Sequence, residues 1–131
     1  MEITVGMRAE VFSDVEKSDT AAEVGSGSLL VYATPCMVAL MEGAACEAIE
    51  EALDETMTTV GIELNIKHLS ATPVGMDVRA EAIVTAIDGK VISFDLKAYD
   101  EATGAVTVTV GKEEITFAKS EVALVRLRVE F

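Results

Sequence analysis

The chain has no tryptophan, and only 5% of its residues are aromatic. Its core must be built from Val, Ile, Leu, Met and Ala. That suits a helix packed tightly on a sheet better than an aromatic-lined nucleic-acid surface. Positive charge is also scarce: 10 Lys and Arg stand against 23 Asp and Glu, a formal net charge of -13. Such a surface repels phosphate backbones and anionic membranes, so neither nucleic acid nor membrane is an expected partner. The plainest effect of the acidity is solubility. An anionic ligand would need a local basic patch, for which Lys67, Arg79 and Lys90 are the candidates. No apolar run reaches the length of a membrane span. The first ten residues lack the apolar core of a signal peptide. With 1 His and 2 Cys, the sequence offers no clustered ligand set, so neither a metal nor a bound cofactor is expected. The two cysteines, Cys36 and Cys46, fall in one predicted helix, about 15 Å apart along its axis. That is too far for a disulfide. Free, buried thiols suit a reducing cytoplasm, the expected location. A catalytic Cys competes with a role as a small core residue.

The length of 131 residues suits a single domain. No repeat, linker or low-complexity tract interrupts it. Residues 25–28, Gly-Ser-Gly-Ser, read as a turn; as a phosphate loop they lack the Lys-Ser/Thr ending. Residues 29–33 form a short strand candidate. Thr34 and Pro35 then mark a helix start, the hydroxyl as cap and the proline in the first turn. The helix is expected from residue 35 to 53 or 54. Met37, Val38, Leu40, Met41, Ala44, Ala45, Ala48, Ile49 and Leu53 leave it little polar face, which marks a central helix.

Beyond it the pattern switches to period two. In Val60–His68, alternate residues Val60, Ile62, Leu64, Ile66 and His68 share one face, expected to be buried. Residues 72–75, Thr-Pro-Val-Gly, are a turn. Residues 76–87 and 90–99 flank the hairpin signal Asp88-Gly89. A turn over 101–104, a strand over 105–117 and a last strand over 124–131 follow; residues 1–15 read as extended. One helix cannot cover both faces of so many antiparallel strands. A sheet wrapped around its own helix, its exposed edge covered by a second copy, solves this. The expectation is therefore an α+β hotdog fold, an antiparallel sheet around one long central helix. A plain two-layer sandwich is the alternative.

Three polar residues stand out against apolar surroundings. Glu42 sits within Met-Val-Ala-Leu-Met-Glu-Gly-Ala-Ala, where a carboxylate must be paired, hydrogen-bonded or protonated. His68, the sole histidine, ends its strand's buried stripe and titrates near working pH. Thr34 lies where the positive end of the helix dipole favours a developing negative charge. Each also has a bland role, as a helix cap, a structural histidine or a satisfied buried carboxylate.

Longer motifs join them. Residues 25–46 carry Gly-Ser-Gly-Ser, Ala33-Thr34-Pro35 and Met41-Glu42-Gly43-Ala44-Ala45-Cys46. Thr58-Thr59-Val60-Gly61-Ile62, residues 68–76 (His-Leu-Ser-Ala-Thr-Pro-Val-Gly-Met) and Ala98-Tyr99-Asp100-Glu101 follow. Together, over residues 5–104, these resemble the fluoroacetyl-CoA thioesterase family of hotdog proteins. The resemblance implies hydrolysis of a small acyl-CoA with a catalytic set of Thr34, Glu42 and His68, and Gly61 near the substrate carbonyl. It also implies a homodimer, either remaining a dimer or pairing into tetramers, with its site between subunits. Thr34 and Glu42 lie about 12 Å apart along the helix, so either His68 bridges them or Glu42 comes from the partner. Backbone N–H groups of Cys36, Met37 or Gly61 are the candidate oxyanion donors. Two features depart from the family. Gly111-Lys112-Glu113-Glu114 stands where it often carries His-Glu-Arg, and small residues such as Ser26 and Ser28 replace its aromatic lid. Fluoroacetyl-CoA itself is therefore not the expected substrate. A non-catalytic acyl-CoA binding module and an enoyl-CoA hydratase are the rival expectations.

Overall fold

The computed structural model describes the backbone of residues 2–102, 107–110, 113–116 and 120–130, and the side chains of residues 2–100. Strand β1 (Arg8–Asp14) leads into a 3-10 turn, Lys17–Asp19, and a short helix α1 (Ala21–Val24). The long helix α2 (Thr34–Ile49) ends in a 3-10 turn, Glu50–Ala52. There follow β2 (Val60–His68), β3 (Met76–Asp88), β4 (Val91–Ala102), β5 (Thr107–Val110), β6 (Glu113–Thr116) and β7 (Ser120–Glu130). Five strands make one antiparallel sheet in the order β1-β3-β4-β7-β2, and β5 pairs with β6 in a separate hairpin.

Period-two alternation sets the inner face. On β3, Val78, Ala80, Ala82 and Val84 are buried; on β4, Ile92, Phe94, Leu96 and Ala98. Helix α2 lies against β1, β3 and β4 and adds Met37, Met41, Ala44, Ala45 and Ile49 to the same cluster. Strand β2 stands at the sheet's edge, and its apolar stripe opens progressively. Val60 is 61% exposed, Ile62 46% and Leu64 38%, with only Ile66 and His68 half-buried. The expected buried face of β2 is thus uncovered over most of its length, because α2 sits over the other half of the sheet.

Several expectations shift. The strand over 29–33 shrinks to Val31 and Tyr32, each in an isolated bridge, to Pro73 and Thr20 respectively. The turn at 25–28 follows α1, which ends on Gly25 in the left-handed region at φ 81°. The hairpin turn moves by one residue: Asp88 pairs with Val91, leaving Gly89 and Lys90 in the loop, with Gly89 at φ 59°. β4 runs on to Ala102, through the start of the expected turn. The strand expected over 105–117 is two short strands. Residues 1, 103–106, 111–112, 117–119 and 131, which bound several sequence-based elements, lie outside the described residues.

Phe94 and Phe12 offer a matched test of this placement, at 1% and 69% exposure. Phe94→Ala should cost about 3–5 kcal/mol in urea unfolding. Phe12→Ala should stay within about 0.5 kcal/mol. Equal losses would contradict the assignment of inner and outer faces.

Candidate active site

Thr34 is the first residue of α2, and Ala33 occupies the capping position without a side-chain cap. The hydroxyl expected to cap the helix is spent elsewhere: Thr34 Oγ1 lies 2.8 Å from His68 Nδ1. His68 is the last residue of β2. It aligns with Ala123 of β7, which aligns with Ala98 of β4, which aligns with Ala80 of β3. The imidazole therefore ends a row of alanine positions that runs across the sheet near the start of α2. It is half-buried, and among the described residues its Nε2 is enclosed without a hydrogen-bond partner. Burial pushes its pKa below the usual 6.5, against an opposing hydrogen bond to the Ser70 backbone. The ring is thus neutral at neutral pH and keeps a lone pair for proton abstraction.

Glu42 does not join this pair within one chain. It is half-exposed, with no hydrogen bond to either partner among the described residues. At 100° per residue, Pro35, Ala39, Glu42 and Cys46 form one stripe of α2. That stripe faces away from the sheet, and Pro35, Ala39 and Cys46 are exposed. The buried carboxylate read from the sequence is corrected to a half-exposed one: the helix is apolar all round, yet one side is open. Cys46 is corrected likewise, from buried to exposed. Cys36 is half-buried, and burial followed by the nearby Asp19 charge pushes its thiol pKa up, which disfavours a nucleophilic thiolate.

The proposed oxyanion donors also change. Cys36 N–H and Met37 N–H both donate to the Ala33 carbonyl at 3.0 Å, because the helix's first turn uses them. Gly61 lies seven residues up β2 from His68, about 23 Å along the strand. It borders a register shift between Gly61 and Glu63. Nor do the three cations converge. Arg79 is buried on the outer face, bonded to Glu10 at 2.9 Å and to Glu81, and stacked 4.5 Å over Tyr99. Lys67 aligns through β7 with Lys97, whereas Lys90 sits in the distant β3–β4 turn.

Sequence reasoning missed Thr72 and Asp100. Both are buried, at 0% and 5% exposure, and Thr72 Oγ1 donates to Asp100 Oδ2 at 2.8 Å. A signal was present: Asp100 continues the inward parity of Ile92, Phe94, Leu96 and Ala98, so a carboxylate stood at a core position.

A five-stranded antiparallel sheet against one long helix, with a hydroxyl–imidazole pair at the helix start, places the molecule among the hotdog proteins. The hot-dog-like protein of Thermanaerovibrio acidaminovorans superposes with TM-score 0.75 at 21% identity, covering 96% of this chain and 81% of that one. A point variant of a fluoroacetyl-CoA-specific thioesterase gives TM-score 0.78 at 22% identity, covering 99% and 88%. The profile of the family described as fluoroacetyl-CoA-specific thioesterase matches residues 15–116, and the chain belongs to that family. The fluoroacetyl-CoA thioesterase of Streptantibioticus cattleyicolor is 33% identical over 70 residues. That match covers 53% of this chain and 50% of the relative, so it spans about half of each.

Because the sequence holds one histidine, a single imidazole signal reports on the site. Its NMR titration should have a midpoint below about 6.5. A midpoint above that value would contradict the buried, neutral ring.

Proposed function

We propose that this protein hydrolyses a small acyl-CoA thioester to the free acid and CoA, with Thr34, His68 and Glu42 as its catalytic residues. The observation that carries the reading is the 2.8 Å contact between the Thr34 hydroxyl and a neutral His68, in a chain of this family. A solved fluoroacetyl-CoA-specific thioesterase variant is known in complex with fluoroacetate and CoA.

The imidazole tautomer selects between two routes. With its proton on Nε2, the Nδ1 lone pair faces Thr34 and accepts the hydroxyl proton as Oγ1 attacks the thioester carbonyl. The C–S bond then breaks, the proton passes to the leaving CoA thiolate, and water hydrolyses the acyl-threonine. With the proton on Nδ1, the ring donates to Thr34, and Nε2 is the base that activates a water. Glu42 orients and stabilises the imidazolium or attacks as a carboxylate nucleophile. In this reading it comes from a second copy of the chain, since about 12 Å of helix separates it from Thr34.

Two features favour that second copy. β2 is an edge strand with Val60, Ile62 and Leu64 exposed, and α2 bears an open stripe of small residues beside Glu42. An antiparallel β2–β2 pairing would extend the sheet and bring the partner's copy of residue 61 toward the His68 end. A cytoplasmic location, suited to two free thiols, completes the proposal.

The departure at residues 111–114 favours a second reading, an acyl-CoA binding module without turnover. Thiol release across short, branched and aromatic acyl-CoAs separates them. His68→Ala should lower kcat by at least about 100-fold. Tight binding with equal, negligible turnover in wild type and variant would establish the binding module. Hydration of an enoyl-CoA without thiol release would establish a hydratase.

The rate should fall as pH drops, with an apparent pKa below about 6.5, because protonation removes the base. Mixing His68→Ala and Glu42→Ala subunits tests the shared site. Each heterodimer would retain one intact site, recovering about a quarter of wild-type activity after random exchange. No recovery despite verified exchange would place both residues in one chain's site.

A further inference from the structure

The Thr34–His68 contact closes a ring. From His68 the chain runs to Thr72, whose carbonyl accepts the Tyr32 N–H at 2.7 Å. From Tyr32 the chain runs through Ala33 to Thr34, which returns to His68 at 2.8 Å. Two hydrogen bonds and two short stretches of backbone therefore tie the proposed nucleophile and base into one cycle. Beside it, Val31 bridges Pro73, and Ala33 N–H donates to the Asp19 carbonyl at 2.8 Å.

A buried side-chain hydrogen bond ties the ring to β4: Thr72 Oγ1 donates to Asp100 Oδ2 at 2.8 Å. Both residues are buried, and Asp100 projects from the inner face of β4, level with Val78 of β3. A carboxylate in this position gives up hydration that an apolar residue would not lose. Leu69 and Ala71, between His68 and Thr72, are exposed and provide little apolar anchorage for that stretch. Thr72 is the point at which it is fixed.

We propose that Asp100 and Thr72 are positioning residues: their buried hydrogen bond pins the loop after β2 to β4 and holds the Thr34 hydroxyl and the His68 ring in register. This rests on the thioesterase reading for its catalytic consequence, but not for its structural one. Neither residue touches the reacting atoms. Their effect passes through the Tyr32–Thr72 backbone bond and the short chain to His68. A displacement of about 1 Å at a reacting pair can cost on the order of 100-fold in rate, so a bond remote from the chemistry can govern turnover.

Thr72→Val keeps the β-branched shape and removes the hydroxyl; Thr72→Ser retains the hydroxyl; Asp100→Asn retains an acceptor without the charge. Thr72→Val should lower kcat by about 10- to 100-fold with KM changed by less than about twofold. Thr72→Ser should restore most of the rate, and Asp100→Asn should fall between them. The imidazole titration provides a readout independent of turnover. In Thr72→Val the loosened ring admits water, and the His68 midpoint should rise by about half a pH unit toward 6.5. In Thr72→Ser it should stay at the wild-type value. If Thr72→Val does not fold, Asp100→Asn carries both measurements, with a smaller rise and a smaller loss expected. A lower unfolding midpoint with kcat and titration unchanged would make the pair purely structural and overturn the proposal. Wild type without turnover on any acyl-CoA would sink the thioesterase reading alone. The titration series would still decide whether this bond positions the imidazole.

Discussion

The distance between α2 and the sheet governs the site. Where the helix begins, the inner face carries Ala80 and Ala98, in a row of alanine positions that ends at His68. Small side chains let a helix settle close to a sheet, and dense packing then leaves little freedom to drift. That closeness lets a threonine side chain, one of the shortest polar groups available, reach an imidazole on the edge strand. A larger residue in the row would lift the helix and separate the pair before it affected any residue of the chemistry. The core and the site are thus one construction, with Met37, Met41 and Phe94 holding what Thr34 uses.

Much of this was legible in the residues. The period-two runs placed β2, β3 and the start of β4 to within a residue, because alternation and the Asp-Gly signal constrain register strongly. His68 stood out as a polar group on its strand's apolar stripe, and Thr34 as a hydroxyl at the start of an apolar helix. Glu42 was misjudged for a physical reason: a helix with apolar residues on every side does not reveal which side lacks a neighbour. Residues 105–117 were read as one strand because Val and Thr alternate over 106–110, and alternation alone does not locate where the pairing reverses. The resemblance to known thioesterases supplied the roles of the residues. The burial of Asp100 and Thr72 required the fold, although inward parity on β4 already marked the carboxylate as anomalous.

One chain leaves two features incomplete. The open stripe of α2 faces away from the sheet, and the bare edge of β2 lies beyond the strands that the helix covers. Natural sheets seldom leave a long apolar edge unprotected, since it invites pairing. In this chain the edge strand also carries His68, so whatever pairs with it forms a wall of the site.

The distribution of charge has a consequence for encounter. The buried cation of the outer face is neutralised by two glutamates, and the remaining candidate lysines lie far apart. A strongly anionic molecule approaching a chain of net charge -13 meets repulsion, with no described local funnel to offset it. Dissolved ions weaken that repulsion within about 10 Å at 0.1 M. Capture of such a molecule would therefore quicken with ionic strength, the reverse of the trend seen when opposite charges steer association.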